Sequence, residues 1–68
     1  MFEELRALRS ELAHEHNCPP FMIFHDSTLT AIAQMRPTTT EALYEVPGMG
    51  ERKVASYGDA VLEIINGF

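Results

Sequence analysis

The amino-acid sequence predicts an all-α fold, a compact bundle of about five short helices, on three observations. Apolar residues recur at three- and four-residue intervals, no stretch alternates as a strand would, and Pro, Gly and capping residues divide the chain into short segments. With 46% hydrophobic side chains spread along 68 residues, one packed domain is expected across residues 1–68. A domain of this size buries only about 60% of the surface its unfolded chain exposes, so its stability margin is expected to be modest.

Phe2, Leu5, Leu8 and Leu12 form one stripe of an amphipathic helix running to about His16. Pro19 and Pro20 are expected to stop it, because proline lacks an amide hydrogen and pushes the preceding residue out of the helical region. The short apolar run Phe21–Phe24 then reads as one tight turn that plugs the core, with Phe21 equally able to face inward or outward. A second helix is expected from Asp26 or Ser27, where oxygen side chains can cap orphan amides, to Arg36-Pro37. Thr38 as N-cap with Glu41 three residues on suggests a capping box for a third helix over 39–45. Val46–Gly50 is turn material. Glu51–Ser56 reads as one or two helical turns with Val54 and Ala55 inward, interrupted at Tyr57-Gly58. From Asp59 a last helix carries Ala60, Val61, Ile64 and Ile65 on one side and stops near Asn66-Gly67.

Ten acidic against five basic side chains give a formal charge of −5, which repels a phosphate backbone at long range and leaves few cations for neutralising one. Glu4, Glu11 and Glu15 fall together on the flank of the first helix away from its apolar stripe; they read as a solvated face or as a docking surface for a cationic protein. The single cysteine, Cys18, rules out an intrachain disulfide and a four-cysteine zinc site. No apolar run approaches the roughly 20 residues of a membrane span, and the acidic opening is unlike a secretory signal, so a cytosolic protein is expected.

Three constellations carry potential chemistry. His25, Asp26 and Ser27 have the side chains of a hydrolase triad, but consecutive residues do not converge around a nucleophile, and helix capping suits them better. His14, His16 and Cys18 could supply nitrogen and sulfur to a metal, yet residues two apart on a helix point about 200° away from each other. Pro47–Lys53 has the best phosphate logic: Gly48 and Gly50 let backbone approach a ligand, amides open the next helix, and Arg52 and Lys53 are adjacent cations. A structural turn with special backbone angles explains the same glycines.

With these residues in place, the sequence resembles the HRDC domain, named for helicases and RNase D, and in particular the version at the C-terminus of bacterial RecQ helicases. The resemblance is carried over the whole chain by FEELRALRSELA, NCPPFMIFHDSTLTAIAQMRP and PGMGERKVASYGDAVLEII in that order. It implies a five-helix accessory bundle, monomeric when isolated, attached to a helicase motor of DNA repair and recombination in the bacterial cytoplasm, at the nucleoid. It implies no cofactor and no catalysis in this domain: ATP and Mg2+ belong to the parent's motor, and no G-x-x-x-x-G-K-[ST] loop occurs here. In RecQ-type members that bind single-stranded DNA, an aromatic residue after the proline pair and nearby cations are implicated; Phe21, Arg52 and Lys53 stand at those places. The first helix departs from the lysine-rich pattern of such members, with Arg6 and Arg9 flanked by acids.

Two functions of different class follow. In the first, Glu4, Glu11 and Glu15 dock on a basic surface of the parent helicase or another protein and so tune DNA binding. In the second, Phe21, Gly48, Gly50, Arg52 and Lys53 bind single-stranded or structured DNA weakly and directly. The charge balance favours the first.

Overall fold

A computed structural model describes residues 1–67 as five helices without strands among them: α1 (Phe2–Glu15), α2 (Pro20–Ile23), α3 (Asp26–Met35), α4 (Thr40–Leu43) and α5 (Glu51–Asn66). The expected all-α class holds. The first helix packs against α2, α3 and α5, and α4 packs against α5. Between them lies one core built on Leu5, Ile23, Phe24, Leu29, Ile32, Leu43, Val46 and Val61, all fully buried. Phe2, Leu8 and Leu12 of the predicted stripe pack at its margin, half-buried.

The end of α1 differs from expectation in mechanism. Asn17 takes a left-handed conformation at φ 55°. Its amide donates to His14 O at 3.2 Å and that of Cys18 to Ala13 O at 3.0 Å. This pair of bonds satisfies carbonyls that a helix end leaves orphaned, and asparagine tolerates the left-handed region better than most residues. The helix has therefore ended before the prolines act. Pro19 becomes the extended N-cap of α2 and Pro20 its first helical residue, where a missing amide hydrogen costs nothing.

The turn of α2 is the expected plug. Ile23 and Phe24 are buried, while Phe21 and Met22 are each 58% exposed. His25, not Asp26 or Ser27, is the N-cap of α3, and no side chain caps that helix; Asp26 instead turns its carboxylate to Arg9. Arg36 ends α3 in the left-handed region at φ 50°, followed by the buried Pro37.

For α4 the predicted cap is one residue early. Thr39 is the N-cap, its hydroxyl oxygen accepting from the Ala42 amide at 3.2 Å. Counted from Thr39, the third helical residue is Ala42, so Glu41 cannot complete a capping box. The helix closes at Leu43, and single turns carry Val46 and Met49 into the core.

The predicted break at Tyr57-Gly58 is absent: α5 is one helix of 16 residues. Gly58 is buried where α4 crosses it, and a Cβ there would lie 3.2 Å from Leu43 Cδ1 and 3.3 Å from Val54 Cγ1. The glycine serves close packing rather than a bend, and the cost of a mid-helix glycine, about 1 kcal/mol, is offset by that contact. Val54 is buried as expected, whereas Ala55 is exposed.

Gly48 is required by its backbone. It has φ +88°, and a Cβ would come 2.2 Å from Thr28 Oγ1, which is itself buried. Gly50 has an ordinary φ of −90°, and a Cβ there would meet nothing within 4 Å. Gly48→Ala is expected to lower unfolding free energy by about 2 kcal/mol or more through strain and overpacking. Gly50→Ser should leave it unchanged or raise it by about 0.5 kcal/mol through capping and a less flexible unfolded chain. Urea denaturation of the two variants checks both.

Candidate functional site

Two cations reach into the molecule and hold the plug. Lys53, on the first turns of α5, donates from Nζ to Ile23 O at 2.8 Å and lies 5.8 Å from the centroid of the Phe24 ring. Arg9, from α1, donates from Nη1 to Phe24 O at 3.0 Å and to Asp26 Oδ1 at 2.7 Å. A four-residue helix cannot satisfy its own last carbonyls, so these two side chains take the place of the missing next turn. Arg9 is largely buried, with its Nε lacking a partner, whereas Asp26 is 86% exposed. The ion pair is therefore screened, and the bond to the Phe24 carbonyl is the more structural of the two.

These contacts decide where the sequence-predicted nucleic-acid residues stand. The Lys53–Ile23 bond ties the start of α5 to the short helix that carries Phe21. Lys53 itself is committed to backbone and aromatic ring, and Gly48 to its contact with Thr28. Phe21 projects outward with its ring stacked on His25, centroids 6.4 Å apart. Arg52 is exposed and makes no ion pair among the described residues. No side chain caps α5, and the ground beside Gly50 is open. An exposed aromatic face on α2 and, on α5, an exposed cation and the amides of a helix start are thus the features left accessible.

The acidic residues occupy a different surface. Glu4, Glu11 and Glu15 are exposed along α1. Glu4 and Glu11 edge a groove between α1 and α5, whose floor includes Leu8, Ala60 and Ile64 and whose opposite edge carries Glu63. A separate shallow hollow lies on α1 alone, over Ser10, Glu11, His14 and Glu15. Sequence reasoning missed Ala60, Glu63 and Ile64 as partners of the acidic face. Their spacing of three and four places them together on α5, but which helix they would meet is not encoded locally.

The remaining constellations are drawn apart. His25 stacks on Phe21, Asp26 pairs with Arg9 and Ser27 is exposed, so no base stands over a nucleophile. His16 packs edge-on against Tyr57 at 5.5 Å, and Tyr57 in turn against the buried Phe24 at 5.6 Å. Among the described residues no three His, Cys, Asp or Glu side chains converge as metal ligands would. No helix there is long and apolar enough to cross a membrane.

What the fold and this surface define is a small all-helical module that presents faces rather than an enclosed reaction site. Residues 1–65 match the HRDC domain family, and the chain belongs to it, as its sequence motifs implied. Its fold is similar to that of the third HRDC domain of D. radiodurans RecQ, with a TM-score of 0.94 and 42% identity, over 97% of this chain and 87% of that one. Among longer proteins, the ATP-dependent DNA helicase UvrD2 of Mycobacterium tuberculosis is 42% identical over 64 residues, covering 94% of this chain and 9% of the helicase. The ATP-dependent DNA helicase RecQ of Bacillus subtilis is 38% identical over 68 residues, 100% of this chain and 12% of the helicase. The chain therefore spans about a tenth of the length of these helicases, and the family occurs in both UvrD2 and RecQ proteins.

The different roles of the neighbouring cations are separable. Lys53→Met leaves the Ile23 carbonyl without its donor and is expected to cost about 1–3 kcal/mol of stability. Arg52→Met, at an exposed site, should change stability by less than about 0.5 kcal/mol. Thermal and urea unfolding of the two variants, side by side, measure the difference.

Proposed function

We propose that this chain is a non-catalytic accessory domain of an ATP-dependent DNA helicase, and that it adjusts the parent's hold on DNA through protein contact. ATP and Mg2+ are handled by the motor of that parent. The observation that carries the proposal is how charge divides between inside and outside. All ten carboxylates are exposed, while Arg9 and Lys53 are drawn inward, leaving Arg6, Arg36 and Arg52 as the exposed cations. Arg6 is further offset by Glu3, 3.5 Å away. The surface is more acidic than composition alone implies.

Such a surface repels a polyanion and attracts the cationic ground that a DNA-binding motor exposes. Exposed charges act over about 8 Å at physiological ionic strength, so the effect requires close approach. Tethering supplies it, because an attached domain has a high effective concentration without a tight intrinsic affinity. The acidic face, with Glu4, Glu11 and Glu15 at its centre, then competes with DNA for the motor's cations.

A second reading is favoured by the outward Phe21 ring on α2 and the uncapped start of α5, two elements that the Lys53–Ile23 bond ties together. There the domain binds single-stranded DNA directly and weakly, by stacking on Phe21 with Arg52 and the amides near Gly50 holding a phosphate. Gly48 and Lys53 would shape this surface rather than touch the ligand.

Deletion of the domain from a parent helicase separates the two. Under the first reading, deletion or the double substitution Glu11→Lys and Glu15→Lys tightens DNA binding, by about tenfold at low salt and less as salt rises. Weakened binding on deletion, with a single-stranded oligonucleotide captured by the isolated domain in an anisotropy titration, decides for the second.

A further inference from the structure

We infer that the groove between α1 and α5 is a docking cleft for a cationic amphipathic helix of a protein partner. The inference rests on reading the acidic face as a protein-contact surface, and it names that surface's occupant. The cleft combines two features that a solvated acidic helix lacks. Its floor is apolar, with Leu8, Ala60 and Ile64 along the seam. Its edges are acidic on both sides, Glu4 and Glu11 from α1 and Glu63 from α5. Ala60, the smallest of the α5 side chains lining it, fills little of the space between the two helices.

From Glu4 to Glu11, α1 extends about 10 Å along the groove, the length of roughly two helical turns. A furrow apolar at its centre and negative on both banks is complementary to a helix whose apolar stripe is flanked by Lys or Arg. Other occupants fit less well. A flat cationic surface would leave the floor uncovered, and a nucleic acid would set phosphates against three carboxylates. A second copy of this chain offers exposed cations only as Arg6, Arg36 and Arg52, scattered over α1, the end of α3 and the start of α5. It has no cationic helix face to lay in the groove.

The test titrates this chain with a synthetic peptide of about fourteen Leu, Ala and Lys residues whose lysines flank one apolar face when it is helical. A peptide of identical composition, shuffled so that no apolar face forms, is the control. The expected result is saturable binding with amide NMR shifts clustered at residues 4–11 and 60–64. The shuffled peptide should bind about tenfold more weakly or worse, since charge alone leaves the floor unused. Glu63→Lys, which reverses one bank, should weaken binding by about tenfold, while Glu41→Lys, on α4, should stay within about twofold. Equal binding of the two peptides overturns the inference, as do shifts centred elsewhere, equal losses in the two variants, or self-association of the chain through these residues. Failure here leaves a diffuse acidic contact with the parent intact. Loss of the deletion effect in the parent removes the regulatory function, whatever the peptide does.

Discussion

Everything in the bundle is arranged around two carbonyl oxygens, those of Ile23 and Phe24. They close a helix of only four residues, too short to satisfy its own end, and they belong to the residues that fill the centre of the core. Burying Ile23 and Phe24 is more favourable when their part-buried backbone oxygens keep a donor, because a carbonyl sheltered from water and left unmet costs on the order of 1 kcal/mol or more. Arg9 supplies one donor from α1 and Lys53 the other from α5. In doing so they tie α1 and α5 to the same turn. Tyr57 and His16 complete the clasp with a run of edge-to-face contacts that starts on Phe24.

This structural demand shapes the chemistry of the surface. Each cation used inside is one fewer available to a phosphate, and the carboxylates, which no buried group calls inward, all remain outside. An acidic exterior is thus partly a by-product of how the plug is held. The same geometry parts the molecule into two unlike surfaces. One carries the exposed Phe21 of α2 and, on α5, Arg52 at an uncapped helix start, and the other is the α1–α5 furrow with its carboxylate banks.

Legibility in the sequence tracked the range of the interaction responsible. The apolar stripe of α1, the plug after the prolines and the all-helical class follow from spacing within a few residues, and they stand as read; the count of five does so only because the plug is itself a helix while the two segments read after Gly50 are one. Where two local rules competed, spacing alone misplaced the detail. Thr38 and Thr39 are equivalent as caps by composition, and only the folded backbone, extended at Thr39 with φ −132°, shows that the second is the cap. Asn17 marked the true end of α1, but the neighbouring prolines were the louder signal. Gly58 resembles a break because glycine is a poor helix former, and only the Leu43 methyl lying 3.2 Å from where its Cβ would be explains why it sits inside a continuous helix.

By itself, the sequence determined the helical class, the single unpaired thiol, the excess of carboxylate and the family, since each is written in composition, periodicity or ordered motif. Tertiary structure alone decided which pair of Phe21–Phe24 faces inward and whether Lys53 meets solvent or backbone. It alone brought Ala60, Glu63 and Ile64 beside the acidic face of α1. The reason is distance along the chain: the bonds from Arg9 and Lys53 to the plug span 15 and 30 residues. No helical period reaches that far, and such contacts exist only once the chain has closed on itself.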